Sequence, residues 1–296
     1  MQPPTMAISI ARAPFTIIVP AFNEEQVIAR TLAHLLDGWD EGARPRIIVA
    51  CNGCRDGTAD AARRFADVEV IELPVGSKTG AINAGIARTG DFPVIIVDAD
   101  VRIGPKSLSA LAEVLREDGV MAASPSARLE TGQSSAAVRA YYRVWSALGY
   151  LDSGVGGAGV YGLSETGARM LGTLPQVTGD DTYVRWSFPL AQQRRLPAAA
   201  SQAIIEAPRS LSDLLACEAR WQAGNRQLRA MMEEPDGDKA GGAGNAAPAF
   251  SDRLIYYGIK LAGRLRLMKA RMAGTSGAWG RDLSSRKAPL ANTGVE

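Results

Sequence analysis

Short apolar runs recur along the first 125 residues. Phe15-Thr16-Ile17-Ile18-Val19 is β-branched and ends at Pro20, and Arg46-Ile47-Ile48-Val49-Ala50 repeats its character. Val68-Glu69-Val70-Ile71, Val94-Ile95-Ile96-Val97 and Val120-Met121-Ala122-Ala123 follow. Each is four to five residues long with little polar alternation, which predicts strands buried on both faces. Between them the period changes. From Glu24 to Leu36, Val27, Ile28, Leu32, Leu35 and Leu36 share one stripe. From Pro105 to Arg116, Leu108, Leu111, Val114 and Leu115 do the same, with Pro105 suited to a first helical turn. Strands alternating with helices predict an α/β fold, a doubly wound and mostly parallel sheet flanked by helices. Further helices are expected over Ser134–Tyr150, Leu211–Met232 and Ser251–Met272, with a glycine-dense loop at Gly154–Gly162.

In such a sheet ligands bind beyond the C-terminal strand ends. Asn23 and Glu24 follow the first strand, Asn52, Gly53 and Asp56 the second, Lys78 the turn after the third, and Asp98 and Asp100 the fourth. All should face one crevice. Asp98-Ala99-Asp100 puts two acids on one side of extended chain. Carboxylates there suit a hard divalent cation and the phosphates of a nucleotide. Two acids closing a strand are also ordinary turn residues. Asn23 with Glu24 and Glu25 reads equally as a helix cap with favourable first-turn charge.

Composition narrows the choice. The 296 residues are 46% hydrophobic and 22% charged with a net charge of +2, so a nucleic-acid partner is not expected. No apolar run approaches the ~20 residues that span a bilayer, and the N-terminus lacks a signal-peptide pattern, so a cytoplasmic protein is expected. Cys51, Cys54 and Cys217 do not make a disulfide framework, and with His34 they fall short of a persuasive zinc site. Gly154 to Gly159 follows a helix rather than a strand, which excludes a dinucleotide fingerprint. The glycines are expected to let backbone approach a ligand closely.

Ile17-Ile18-Val19-Pro20-Ala21-Phe22-Asn23-Glu24-Glu25 resembles the opening of glycosyltransferase family 2. Asn52 to Thr58 resembles that family's second motif, Lys78 to Gly85 its lysine-glycine-asparagine segment, and Asp98-Ala99-Asp100 its D-x-D. Gly179-Asp180-Asp181-Thr182-Tyr183-Val184 is similar to its late acidic pair, and Arg220-Trp221 to its arginine-tryptophan signature. The resemblance runs from Phe15 to about Gln227 and implies the inverting GT-A fold. It implies that Pro20, Ala21, Asn23, Glu24 and Asp56 line a nucleoside pocket, with Lys78 near base or phosphate. Asp98, with Ala99 beside it, would meet ribose or donor sugar, Asp100 would hold Mn²⁺ or Mg²⁺, and Asp181 would be the general base. Gly157, Gly159, Asp180, Arg220 and Trp221 would serve the acceptor and diphosphate. The family's second motif usually begins with an acid, where this chain has Cys51 and Asn52; Asn52 can still hydrogen-bond a base. Cys217 stands where the family's polymerases carry glutamine, which favours a single-addition enzyme.

The chain is thus expected to comprise a tail (1–14), a nucleotide-sugar-binding half (15–125), an acceptor and catalytic-base half of the same domain (126–232), a flexible linker (233–250), and a basic amphipathic helix with its tail (251–296). The expected activity moves sugar from a nucleoside-diphosphate sugar to an acceptor hydroxyl, such as that of a lipid-linked or cell-surface glycan precursor. Basic and apolar residues interleaved over 251–272 suit contact with the inner face of a membrane, or packing on the body with arginines in water. A nucleotidyltransferase making nucleotide sugars and a non-catalytic nucleotide-sugar binder are the rival readings. The first usually carries a glycine-rich basic loop where this chain has Asn23-Glu24-Glu25.

Overall fold

A computed structural model describes residues 15–40, 44–147, 154–235 and 248–272. The buried apolar runs become β1 (Thr16–Ala21), β2 (Arg46–Asn52), β3 (Val68–Leu73), β4 (Val94–Val97) and β5 (Ala122–Ser124). With β7 (Val160–Leu163) and β8 (Gln193–Arg195) they form a seven-stranded sheet of order β3-β2-β1-β4-β7-β5-β8. All pairs are parallel except those of β7, which runs antiparallel between β4 and β5. The sheet is therefore mostly parallel, as the alternating pattern requires.

Helices cover both faces. Ile17 and Val19 pack on one side with α1 (Ile28–Leu36), α2 (Thr58–Arg63) and α4 (Pro105–Val114), while Ile18 and Ile96 face the other. That second side meets α3 (Lys78–Arg88), α6 (Glu165–Leu171) and α7 (Asp180–Ser187). Gly85 lets α3 lie against the sheet: a Cβ there would stand 2.7 Å from Ile18 Cγ2. Gly85→Ala gains up to about 1 kcal/mol of helix propensity but forces a branched, fully buried neighbour aside, which costs about 1–3 kcal/mol. A net loss of stability is expected, read as a lower urea midpoint at unchanged slope.

Beyond the sheet, β6 (Ser126–Glu130) and β9 (Gln202–Glu206) pair in parallel as a separate ribbon. A helical layer joins α5 (Ala136–Ser146), α8 (Leu211–Met231) and α9 (Phe250–Met272) around Tyr141, Leu214, Tyr256 and Ile259. The helix expected at 251–272 thus packs on the body along one face. Arg143 holds Asp252 through two 2.7 Å bonds, and Lys260 pairs with the fully buried Glu218 at 2.9 Å.

Several expected boundaries shift. Val94–Val97 is a strand to the residue, but β1 runs past Pro20 to Ala21. β4 pairs with β1 only as far as Ile18, and an open side is where a residue without an N–H is tolerated. The first helix begins at Ile28 rather than Glu24. Asn23 does not cap it, because Asn23 sits at φ 53 with its side chain turned to the neighbouring loop. Lys78 does not lie in a turn but opens α3, whose cap is Ser77 accepting from Gly80 N. The glycine-dense loop is shorter than expected, since Val160–Leu163 is β7. The expected linker at 233–250 falls mostly outside the described residues, as do both expected termini.

Candidate active site

The loops after β1, β2 and β3 are sewn together. Asn52 Nδ2 donates to Ala21 O at 2.8 Å, and Arg55 N donates to Asn23 Oδ1 at 2.8 Å. Asn23 N donates to Cys54 Sγ, whose thiol donates to Ala21 O, both at 3.4 Å. Glu24 N donates to Thr58 Oγ1 at 2.7 Å, and Asp56 accepts from Glu25 N and Thr58 N at 3.3 and 3.1 Å. Gly53 and Gly76 approach so closely that a Cβ on Gly53 would stand 2.6 Å from Gly76 N. Pro20, Ala21, Asn23, Glu24, Asn52 and Asp56 are thereby brought to one corner. Asn52 is buried, and its amide is spent on backbone carbonyls, so it braces this corner. Cys51 and Cys54 are free thiols, and Cys54 serves as one of these loop links.

The acids form the adjoining half. Lys78 Nζ lies 2.7 Å from Asp98 Oδ1 and 3.0 Å from Asp180 Oδ1, so α3 ties the end of β4 to the start of α7. Asp180 is buried, and its other oxygen accepts from Tyr161 OH at 3.1 Å. Asp181, one residue on, is less buried and has other partners: Gly157 N donates to Oδ2 at 3.0 Å, and Thr182 N to Oδ1 at 2.7 Å. Gly159 O accepts from Asp98 N at 2.9 Å. One glycine loop therefore contacts both the D-x-D segment and the late acidic pair. Gly159 has φ 61, and a Cβ there would lie 2.6 Å from Val101 Cγ2. Arg195 grips the loop through the carbonyls of Gly154 and Gly156, and Arg185 through that of Val155.

Electrostatics follow from this crowding. Burial pushes the Asp98 carboxyl up to about 6; Lys78 opposes this, and Asp180 and Asp100 add to it. For Lys78, burial favours the neutral form, but Asp180, Asp98 and Asp181 together more than reverse it, and the ammonium is held above its ordinary value. Burial, then the Asp180 charge, keeps Tyr161 a neutral donor. Ala99 is buried, and its carbonyl accepts from Thr31 on α1. Asp100 is partly exposed and is felt by both Asp98 and Arg30.

Among the described residues no three His, Cys, Asp or Glu side chains are placed to enclose a metal. The donor set is nonetheless suited to Mg²⁺ or Mn²⁺ in an open site. Such ions take one or two carboxylates and complete their shell with substrate phosphates and water, and Asp100 beside Asp98 offers that half.

Two expected residues sit differently. Trp221 packs into the α5–α8–α9 cluster, and Arg220 lies beside it on α8. The nearer link from α8 is Gln227, which accepts from Thr178 N at 3.1 Å and donates to Gln176 O at 2.6 Å, steadying the approach to α7. Tyr161, Thr58 and Gln227 were not foreseen. Tyr161 had a sequence signal, as an aromatic residue in the apolar run that ends the glycine loop, and Thr58 closes the second motif. His34 is exposed on α1.

The mostly parallel sheet, with acids at its C-terminal edge and a glycine loop beneath them, is the architecture of GT-A glycosyltransferases. Residues 16–154 match the model of glycosyl transferase family 2. An N-acetylglucosaminyltransferase of Rhizobium leguminosarum bv. viciae is 33% identical over 114 residues, 36% of this chain. The match spans only about a quarter (26%) of that relative's length. A mannosyltransferase from Pyrobaculum calidifontis, solved with GDP-Man and Mn²⁺, shares the fold with a TM-score of 0.61 at 18% identity, covering 89% of this chain and 76% of its own. Glucosyl-3-phosphoglycerate synthase from Mycobacterium tuberculosis, solved with Mn²⁺, UDP and glucosyl-3-phosphoglycerate, gives 0.50 at 19%, covering 76% and 82%.

Proposed function

We propose that the protein is a metal-dependent, inverting, single-addition glycosyltransferase using a nucleoside-diphosphate sugar. The carrying observation is the assembly in which Lys78 bridges Asp98 and Asp180 while the glycine loop contacts both Asp98 and Asp181. Donor-side acid and candidate base are thereby held in one frame, which pre-organised catalysis requires. Pro20, Ala21, Asn23, Glu24 and Asp56 line the nucleoside corner, with Asn52 supporting it from behind. Asp98 meets ribose or sugar. Asp100 would hold Mn²⁺ or Mg²⁺, which when bound offsets the charge developing on the leaving diphosphate. Asp181, its carboxylate oriented by Gly157 and Thr182, takes the proton from the acceptor hydroxyl as that oxygen attacks the anomeric carbon. One displacement inverts the configuration. Asp180, committed to Lys78 and Tyr161, positions the lysine. Gly157 and Gly159 shape the floor near the acceptor. The acceptor we favour is a hydroxyl of a lipid-linked or cell-surface glycan precursor, reached by peripheral membrane contact through residues 251–272.

A thermal-shift screen of nucleotide sugars with and without Mn²⁺ tests the donor assignment. A matching donor at about 100 times its Kd adds about 2.7 kcal/mol to the native state. Asp100→Ala is expected to lose the part of that increment that depends on Mn²⁺, each protein being compared with its own unliganded melting point. A metal-dependent increment that survives Asp100→Ala would remove Asp100 from the metal.

A further inference from the structure

Helix α9 is apolar on two opposite faces. Tyr256, Ile259 and Leu267 are buried against the body. On the other side Phe250, Leu254, Tyr257, Leu261, Leu265 and Met268 are each at least 50% exposed. At 3.6 residues per turn these six fall within an arc of about 80°. Packing on the body does not explain them, because that packing uses the far side. From Phe250 to Met268 this stripe runs along about 27 Å of the helix, and a continuous exposed apolar patch of this kind marks a surface that meets something apolar.

Charge decides what it meets. The helix sequence holds six basic residues, Arg253, Lys260, Arg264, Arg266, Lys269 and Arg271, and one acid. That acid, Asp252, is buried and neutralised by Arg143. Arg253 and Arg264 flank one edge of the stripe and Lys269 the other, all exposed. A second helix would want a seam repeating every 3.5 residues. Here Phe250, Leu254, Tyr257, Leu261 and Met268 keep that spacing, but Arg264 occupies the seam position between the last two and Leu265 lies off it. A straight apolar stripe edged by cations fits a plane of acyl chains beneath anionic headgroups. No described helix is long and apolar enough to cross a bilayer, so the contact lies in the interface.

We infer that the outward face of α9 is a docking surface for an anionic lipid bilayer, with the apolar stripe inserted and Arg253, Arg264 and Lys269 on the headgroups. This deepens the membrane contact proposed above, and vesicle binding needs no turnover. Its failure would therefore leave the transfer reading standing, and failed turnover would leave vesicle binding standing.

The test is flotation of the full chain with vesicles of phosphatidylcholine, alone or mixed with phosphatidylglycerol. Binding to the anionic vesicles is expected to exceed that to neutral ones and to weaken as salt screens the headgroup charge. Leu254→Glu/Leu261→Glu should lower the partition coefficient by about tenfold or more. Arg253→Glu/Arg264→Glu should abolish the preference for anionic lipid. All four side chains are exposed, so melting by circular dichroism should stay near wild type and separate lost binding from lost fold. Tyr257→Trp adds a direct reading, since its emission should shift to the blue on anionic vesicles. The proposal is overturned if the wild-type chain stays free of anionic vesicles at low salt, or if Leu254→Glu/Leu261→Glu binds as well as wild type. It is equally overturned if sedimentation shows a dimer that this variant dissolves.

Discussion

Asp181→Asn is expected to lower turnover by about two to four orders of magnitude, the range for losing a positioned general base, while donor binding stays within a few-fold. The geometry explains both halves. Asp181 uses one oxygen on Gly157 N and the other on Thr182 N. An asparagine keeps one of these acceptors and turns an N–H₂ toward the other donor, so it stays nearly in place but cannot take a proton. The lost hydrogen bond costs about 1 kcal/mol of stability, too little to unfold the chain. The corner proposed for the donor is built by the loops after β1, β2 and β3, and Asp181 makes none of its links. Single-turnover rates alongside donor titration separate the two effects. If the variant turned over at near wild-type rate, the base would lie elsewhere.

Lys78→Ala should be the most damaging single change to the frame. It leaves Asp180, which is buried, and Asp98, which is partly so, facing each other without a cation. Breaking a buried pair costs about 3–5 kcal/mol, and water reaching the 26% exposed lysine reduces this to roughly 2–3 kcal/mol. The pH dependence carries a definite sign. Lys78 has its pKa raised above the ordinary 10.5, so its stabilising contribution is complete below 10.5 and is lost as pH rises from there through the folded value. Asp98 is raised instead, from 3.8 to about 6, so it favours the fold at low pH, and that contribution fades as pH rises through about 6. Without the lysine the Asp98 carboxyl is pushed higher still. The variant should therefore recover stability when acidified from pH 8 to pH 5, and its deficit against wild type should shrink. Urea midpoints across that range provide the check. An equal deficit at both ends would mean that Lys78 contributes packing and not charge.

The sheet was legible where the local sequence decides the outcome. Val94–Val97 is apolar at every position because β4 is buried on both faces between β1 and β7, and no other reading fits such a run. The placement of the candidate site was legible where acids stand directly after such strands, as Asp98 and Asp100 do. Legibility failed where pairing partners are distant. β6 and β9 are half-polar segments that become strands only by finding each other across everything from α5 to β8. β7 lay hidden in a glycine-rich stretch because Gly162 serves close packing there: its Cβ would meet Leu115 Cδ1 at 2.3 Å. The role of Lys78 was also out of reach, since its two partners lie 20 and 102 positions away and depend on how α3 and α7 meet. The outward face of α9 was visible only in part. Periodicity showed basic and apolar residues interleaved but could not say which apolar residues the body would consume.

The most direct test is release of nucleoside diphosphate from a panel of UDP- and GDP-sugars, with acceptor hydroxyls offered, in Mn²⁺ and again after chelation. Release that requires the metal and falls away in Asp181→Asn is the expected result. Tight binding of nucleotide sugars with no release across donors and acceptors, or pyrophosphate release from a nucleoside triphosphate in its place, would contradict it.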